Sequence, residues 1–253
     1  MIKGSQQTIL FHVDDLKSSH KLEKVNNEFA EWMQNMYGEH KAVTINRGDT
    51  HDYLGMTLNY SEPGKFKVDM RKYVADMIEC FIGDGKEIGK AKTPAGEGLF
   101  GQSEKPSEKL DKKQKELFHT IVAKGLFLAK RARPDILPTI AYLCTRVREP
   151  TTEDWNRLTR LMMYLRATMD DVLCLSADSL SVIKWYVDVS FAVHPDFKSH
   201  TGGTMTFGSG AVISDSKKQK LNTRSSTEAE LVGVDDMLTK MLWTRLFLSL
   251  IHI

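Results

Sequence analysis

The chain has 253 residues, of which 41% are hydrophobic, and its 35 lysines and arginines nearly balance its 33 aspartates and glutamates. This length and apolar content are sufficient for two modest domains, each with its own core, and they exclude a disordered chain. Because the charges almost cancel, net charge predicts no partner. Any attraction to nucleic acid has to come from local basic clusters such as residues 216–220.

The cysteines and the N-terminus bear on the cellular compartment. Cys80, Cys144 and Cys174 are far apart and show no metal-ligand spacing, which argues against a disulfide framework or a zinc site. Residues 1–13 lack the basic and apolar regions of a signal peptide, and no apolar run approaches the length of a membrane span. We therefore expect a soluble, reduced, intracellular protein of the cytoplasm with no membrane partner.

Apolar periodicity in the first third of the chain predicts alternating strands and helices. In order, the predicted elements are a buried strand at 8–13, an amphipathic helix at 20–37 ending near Gly38, strands at 41–46, 52–60 and 65–70, and a helix carrying Tyr73, Met77 and Phe81. The sequence Glu62-Pro63-Gly64 predicts a hairpin turn between the last two strands. Residues 83–109 are rich in Gly, Lys, Glu and Pro without periodicity, which predicts an exposed connection.

The apolar periodicity from residue 110 to about 168 predicts three helices, separated by breaks at Pro134 and Pro150. The third helix has the clearest start, because Thr151 can cap the free backbone amides while Asp154 reaches back to it. The apolar stripe of this helix comprises Trp155, Leu158, Leu161, Met162 and Leu165. Its opposite face carries Arg157, Arg160 and Arg166, which spacing alone indicates to be ordinary solvated charges.

After Met169 the apolar period becomes strand-like. Strands are predicted at 172–175, 182–188, 203–207 and 211–214, and a final helix at 226–248. Three or four antiparallel strands followed by a helix form a unit distinct from the helices before it, with a boundary near 176–181. The chain as a whole is predicted to be of the α/β (α+β) class.

Asp14 and Asp15 end the stretch FHVDD, and two interpretations of this pair stay open. Two aspartates after a short strand are commonly a solvated turn. At the tip of a hairpin, however, the strand turns over and adjacent carboxylates can converge. With a third carboxylate from another strand, the pair could then hold two divalent cations for nucleotide addition.

Asp188 and Glu230 are the second candidate pair. Asp188 ends an apolar strand in WYVDVSFAVHPD, and Glu230 lies in the first turns of the last helix, in SSTEAEL. A strand Asp that faces a helix Glu would suit a two-metal site for phosphodiester hydrolysis. The alternative is a turn residue and a glutamate that merely favours the helix N-terminus.

The histidines and glycines give no comparable signal. His12, His194 and His200 have no carboxylate partner or i, i+4 pairing, so they are expected to be surface or turn residues without a catalytic part. No phosphate-binding glycine loop is present, and Gly202-Gly203 is typical of a hairpin.

Several motifs occur in an order typical of a known family. They are HVDD, DYLGM, KTPAG, FHTIVAKGLFLAKRARPDI, EPTTEDWNRLTRLMMYLRAT, WYVDVSFAVHPDFKSHTGG and SKKQKLNTRSSTEAEL. Together, across about residues 9–248, they resemble the reverse transcriptase and ribonuclease H regions of copia-type LTR retrotransposon Pol polyproteins. The resemblance implies a partial reverse transcriptase palm and linker at 1–109, a helical thumb and connection at 110–176, and a C-terminally truncated ribonuclease H-like domain at 177–253.

The resemblance also implies a chemistry for the candidate residues. The catalytic and metal-binding carboxylates would be those of the polymerase, Asp14 and Asp15, and of the ribonuclease H site, Asp188 and Glu230, with Mg²⁺ (or Mn²⁺) as the cofactor. DYLGM would form the strands that grip the primer end. Contacts with the nucleic-acid backbone would come from Arg157, Arg160, Arg166, Lys217, Lys218 and Lys220. The implied partners are template RNA and primer, an RNA–DNA hybrid and the remainder of the polyprotein, in the cytoplasm or within virus-like particles.

The chain departs from the family at His12, where an aromatic residue is usual, and at Ser190, where a second Asp is usual. The first polymerase carboxylate would lie upstream of Met1 and the third ribonuclease H carboxylate beyond Ile253, so the chain is expected to be a fragment that catalyses neither reaction alone. Two alternatives remain. One is a non-catalytic domain that binds nucleic acid, and the other is a chain that does not fold stably because a sheet edge is left unpaired.

Overall fold

The computed structural model describes residues 4–39, 41–83, 87–101 and 107–251. This part of the chain mixes helices with antiparallel strands, which confirms the α+β class. The helices are α1 (Glu23–Tyr37), α2 (Arg71–Ile82), α3 (Lys112–Ala129), α4 (Leu137–Cys144), α5 (Thr152–Ala167) and α6 (Ser226–Leu250). Within these ranges, none of the helices is both long and apolar enough to pass through a lipid bilayer.

The N-terminal hairpin consists of β1 (Thr8–His12) and β2 (Asp15–Ser19), which pair with each other and with no other described strand. The expectation of a buried strand at 8–13 is wrong, because β1 pairs along one edge only and every residue in it is exposed. A hydrogen bond of 2.9 Å from Ser18 Oγ to Asn26 Oδ1 joins the hairpin to α1. As predicted, α1 ends just before Gly38.

A five-stranded antiparallel sheet has the order β3-β4-β5-β6-β9. Its strands are β3 (Thr50–Tyr53), β4 (Met56–Asn59), β5 (Lys65–Asp69), β6 (Leu173–Ala177) and β9 (Gly208–Ser209). The predicted strand at 41–46 is wrong, since its described residues form no strand and pair with none. The single strand predicted at 52–60 is also wrong. That stretch is part of a hairpin turning at Leu54 and Gly55, whose φ angles of 50° and 74° suit a tight two-residue turn.

This sheet draws its strands from distant parts of the chain. Lys65 of β5 pairs with Ser176 of β6, and Ser176 pairs in turn with Ser209 of β9. The sheet therefore contains segments from all three proposed domains. The division into these domains stays a prediction.

Helices α2 to α5 pack against the five-stranded sheet around one continuous core. Its largest fully buried side chains are Phe118, Met77, Ile121, Leu128, Ile136, Ile140, Leu143, Leu158, Leu161, Met162 and Leu165. The capping box predicted for Thr151 and Asp154 is present at the start of α5. The predicted buried stripe of α5 is confirmed except at Trp155, which is only half-buried and lies against Phe81.

The connection predicted at 83–109 is only partly exposed. In its described part, the Ala91 amide donates to Met163 O of α5, and Leu99 and Phe100 pack against the core. Residues 84–86 and 102–106 of the connection lie outside the described residues.

The C-terminal unit is a three-stranded antiparallel sheet, in the order β10-β8-β7, with α6 packed on one face. Its strands are β7 (Lys184–Ser190), β8 (His200–Thr206) and β10 (Ile213–Lys218). This confirms the predicted strands and final helix, but the interpretation of Gly202-Gly203 as a hairpin is wrong because both residues lie inside β8. A Cβ atom at Gly203 would lie 2.5 Å from Met237 Sδ, so α6 approaches this strand too closely for a side chain.

Candidate active sites and nucleic-acid interface

Asp14 and Asp15 lie at the tip of the N-terminal hairpin, where the sequence predicted a turn. His12 pairs with Asp15, and Val13, with a φ of 54°, forms the turn together with Asp14. Both carboxylates are exposed, and neither makes a side-chain hydrogen bond or ion pair with another described residue. The pair therefore projects into solvent without a partner in the described part of the chain.

Asp188 lies near the end of β7, and Glu230 lies in the second turn of α6. The neighbours of Asp188, Val187 and Val189, contact α6 at Gly233, where a Cβ atom would collide with a Val189 methyl group. Because side chains alternate along a strand, Asp188 points to the face of the sheet opposite α6. Both carboxylates are exposed, and no hydrogen bond connects them.

The donor chemistry of these carboxylates is suitable for Mg²⁺, which prefers oxygen ligands. Their number is not sufficient, however. Within the described ranges, no group of three His, Cys, Asp or Glu side chains is close enough together to hold a metal ion. The described residues therefore do not fit a resident metal centre.

The arginines of α5 are less solvated than their spacing indicated. Arg157 donates from Nη2 to Gly101 O at 2.7 Å and forms ion pairs with Glu153 at 2.8 Å and Asp154 at 3.5 Å. Arg166 donates to Ile88 O. Both side chains hold the connection against α5, which is a structural role.

Arg160 differs from its two neighbours on α5. Its Nη2 donates to Thr93 Oγ1 at 2.9 Å, but the side chain is exposed and forms no ion pair with a described residue. It is therefore the arginine of this face with the most donors left for an anion.

The lysines preceding α6 also divide into paired and unpaired residues. Lys217 pairs with Asp236 at 3.1 Å, and Lys218 pairs with Asp196 at 2.7 Å. Lys220 is exposed in the loop between β10 and α6, and no described carboxylate pairs with it. Of the three lysines, Lys220 is therefore the one that can contact a phosphate without breaking an ion pair with a described residue.

A buried histidine pair was missed by the sequence reasoning. His194 Nε2 lies 3.1 Å from His200 Nδ1, and His200 Nε2 lies 2.7 Å from Ser216 Oγ. Both rings pack on Phe100 of the connection, with centroids 4.8 and 4.3 Å away, so the expectation of surface histidines is wrong for both residues. Burial lowers the pKa of His200 to about 4. The one signal that could have indicated the contact between His200 and Phe100 is that His200 lies within a strand, on the face away from α6.

The sequence comparisons with curated proteins give matches to retrotransposon proteins. The chain is 28% identical over 207 residues to the retrovirus-related Pol polyprotein from transposon TNT 1-94 of Nicotiana tabacum, a match that covers 80% of the chain and 15% of that polyprotein. It is 32% identical over 112 residues to the corresponding polyprotein from transposon RE2 of Arabidopsis thaliana, covering 44% of the chain and 8% of the relative. The chain thus spans a small part of both relatives.

A third relative is shorter. The chain is 25% identical over 230 residues to a putative transposon Ty5-1 protein of Saccharomyces cerevisiae, a match that covers 90% of the chain and 71% of that protein. No family model and no solved structure matches the chain. The homologues of the chain are therefore Pol polyproteins of retrotransposons, and the chain is a relative of one part of such a polyprotein.

Proposed function

We propose that the chain is the reverse transcriptase and ribonuclease H part of a copia-type Pol polyprotein, which binds RNA–DNA hybrid, and that the separate chain performs neither reaction. The observation that carries this proposal is the C-terminal unit. There, an antiparallel sheet bears Asp188 and a helix packed across the sheet bears Glu230 in its second turn. This is the order of elements that the motifs imply for a ribonuclease H-like domain.

The features around Asp188 support a surface for nucleic acid. Tyr186 lies two residues earlier, on the same face of β7, and 62% of its surface is exposed. An exposed aromatic ring can stack on bases or pack on sugars, and lysine and arginine side chains can contact phosphates. Arg160 and Lys220 have no ion-pair partner among the described residues, so they are the cations we assign to the backbone of the hybrid.

The proposed lack of turnover follows from the carboxylates themselves. Asp14 and Asp15 are adjacent at the hairpin tip, whereas Asp188 points away from α6, the helix that carries Glu230, and the described residues bring no group of three ligands together at either place. The polymerase and ribonuclease H assignments of these four residues are part of the proposal. Within a complete polyprotein, further ligands would be required before metal-dependent phosphoryl transfer could take place.

Hydrolysis of a labelled RNA–DNA hybrid by the purified chain, with Mg²⁺ or Mn²⁺, tests the catalytic half of the proposal. We expect binding without cleavage, both for the chain and for Asp188→Asn. Cleavage that is lost in Asp188→Asn would show that two carboxylates suffice, and the proposed inactivity would be wrong. Circular dichroism on both proteins verifies that an inactive sample is folded.

The salt dependence of hybrid binding tests the interface. Each phosphate contact adds about 0.9 to the slope of log affinity against log salt for a B-form duplex. We expect Arg160→Gln and Lys220→Gln each to weaken binding and to reduce this slope by roughly 1, whereas Arg148→Gln, at an exposed site after α4, leaves the slope unchanged. An identical slope in all four proteins would reject the interface.

A further inference from the structure

Helix α6 is apolar on two faces. Its inner face packs on the sheet of the C-terminal unit and carries the buried residues Ala229, Gly233, Met237, Thr244 and Leu248. Its outer face carries eight large apolar side chains, each with 43% to 77% of its surface exposed: Leu231, Val234, Leu238, Leu242, Trp243, Leu246, Phe247 and Leu250. Helices that are apolar all round are usually enclosed on all sides, so the outer face of α6 indicates a partner.

The spacing of the exposed side chains suits contact with a second helix. Six of them follow one another at intervals of three or four residues and so form one stripe: Leu231, Val234, Leu238, Leu242, Leu246 and Leu250. Trp243 and Phe247 stack on each other beside this stripe, with ring centroids 5.2 Å apart. Side chains at such intervals form the ridges between which another helix can insert its own.

The exposed apolar area is large enough for a stable interface. A specific interface of standard size buries about 800 Å² on each partner, and the side chains of the outer face supply an area of that order. The largest apolar patch on a typical monomer covers about 300–600 Å². The outer face of α6 therefore exceeds what a monomeric protein commonly exposes.

The charges on the exposed part of α6 favour one orientation of a second copy. Asp235 lies in the N-terminal half of the helix and Arg245 in the C-terminal half, and both are exposed without an ion pair to a described residue. Two copies packed in parallel would bring each of these charges near its own counterpart, which is repulsive. Two antiparallel copies that cross near Lys240 would instead bring Asp235 of one copy near Arg245 of the other.

The same antiparallel crossing also matches the apolar side chains. Leu238 and Leu242 are equally distant from position 240 along the chain, and so are Val234 and Leu246. Each of these residues would therefore lie opposite an apolar residue of the second copy. A two-fold interface uses one patch twice and so requires a patch that is complementary to itself. The outer face of α6 meets this requirement in its apolar residues and in its charges.

We propose that the outer face of α6 is a homodimer interface, in which α6 packs antiparallel on α6 of a second copy of this chain, about a two-fold axis near Lys240. Asp188 and Tyr186 lie on the face of the sheet away from α6, so the dimer leaves the proposed hybrid-binding surface open. The inference goes beyond the proposed function and does not depend on it.

Sedimentation velocity of the whole chain over a dilution series tests the dimer. We expect a reversible equilibrium between monomer and dimer. Leu238→Glu places a charge in the middle of the stripe and should weaken association by about tenfold or more. Leu180→Glu changes a similarly exposed leucine between β6 and β7 and should associate as the unchanged chain does. Circular dichroism verifies that both variants are folded.

Charge reversal at Asp235 and Arg245 tests the antiparallel orientation. Asp235→Arg and Arg245→Asp each bring like charges together across the interface, so each should weaken association several-fold. The double variant re-forms the pair in reverse and should restore the association of the unchanged chain. A parallel dimer would respond differently, because a single reversal there only exchanges one like-charge contact for another.

The dimer would be rejected if the whole chain sediments as a monomer at every concentration, or if Leu238→Glu associates as strongly as Leu180→Glu. Larger species without a fixed stoichiometry would also reject it, because a two-fold interface closes at two copies. Equal association of the unchanged chain, both single variants and the double variant would overturn the antiparallel orientation. Because these measurements contain no RNA–DNA hybrid, and Leu238→Glu can be tested for hybrid binding separately, failure of the dimer and failure of the proposed function are distinguishable.

Discussion

Arg133 donates two hydrogen bonds to Thr168, one to the backbone oxygen at 2.9 Å and one to the hydroxyl oxygen at 2.6 Å. The guanidinium is almost fully buried and also pairs with Asp135 at 2.7 Å, and Asp135 accepts a bond from the Tyr164 hydroxyl at 2.8 Å. Burial alone would raise the pKa of Asp135, but the hydrogen bonds and charge of Arg133 lower it on balance. This network fixes the end of α5 to the turn before α4.

Replacing Arg133 with Met should lower the free energy of unfolding by about 3 kcal/mol, because Asp135 and the Thr168 oxygen then lose a charged donor. The loss stays near the lower end of the range for buried pairs since 36% of the Asp135 side chain is exposed and can be rehydrated. Urea denaturation measures the change. Arg148→Met, at an exposed position, should remain within about 0.5 kcal/mol of the unchanged chain, and equal losses in the two variants would contradict the network.

The capping box of α5 predicts unequal costs for its two members. Thr151→Ala removes a cap and should cost about 1 kcal/mol. Asp154→Ala should cost more, because its carboxylate, 1% exposed, accepts from the Thr151 amide and pairs with both Arg146 and Arg157. Thermal denaturation of the two variants, with Thr152→Ala as a control in the same turn, provides the comparison. A smaller loss for Asp154→Ala than for Thr151→Ala would argue against the paired role of Asp154.

The buried histidine pair predicts a loss of stability in mild acid. Burial lowers the pKa of His200 from 6.5 to about 4, and His194 adds to this shift. The pKa of His194 is lowered by burial and by Lys218, against the opposite effect of Asp196. Between pH 6.5 and about 4 the unfolded chain therefore binds protons that the folded chain does not, so stability is full above this window and falls as pH falls through it.

Because of His200, the free energy of unfolding at pH 5 should be about 2 kcal/mol lower than at pH 7.5. Urea midpoints at pH 7.5 and pH 5 measure the loss. His200→Gln should show a smaller pH effect, whereas His119→Gln, at an exposed position on α3, should behave as the unchanged chain does. The same drop in the unchanged chain and in His200→Gln would assign the acid sensitivity to other groups.

The contact of α6 with β7 predicts that alanine substitutions at two adjacent positions of α6 affect stability differently. Alanine favours a helix over glycine by about 1 kcal/mol, but a Cβ atom at Gly233 would collide with Val189, and overpacking typically costs about 1–3 kcal/mol. We therefore expect Gly233→Ala to destabilise the chain by about 1 kcal/mol net. Val234→Ala, at a half-exposed site on the same helix, should be neutral or slightly stabilising. Stabilisation by Gly233→Ala would show that α6 can move away from the sheet.

The sequence predicted the elements whose signals are local. The periodicity of α1, α2 and α5 and the capping box of α5 lie within each helix, and the Asp14–Asp15 turn follows a short strand directly. The hairpin at Leu54 was missed because its turn lies inside an apolar run, where only the positive φ angles reveal it. A strand pattern at 41–46 was overestimated because no partner pairs with it.

The candidate site was less predictable, since its character depends on contacts between distant residues. Arg157 and Arg160 are separated by one helical turn and look alike in sequence. They differ only because a loop oxygen, that of Gly101, and two carboxylates bind Arg157. The burial of His200 likewise requires Phe100, which lies a hundred positions away in the chain. No local pattern contains this information.

The position of β6 in the five-stranded sheet has a consequence for how the chain is made. β5 ends at Asp69 and its neighbour β6 begins at Leu173, so the ribosome adds about 100 residues between them. At roughly 5–20 residues per second, this takes on the order of 5–20 s. During that interval β5 has an unpaired edge, which other extended segments can pair with until β6 has been synthesised.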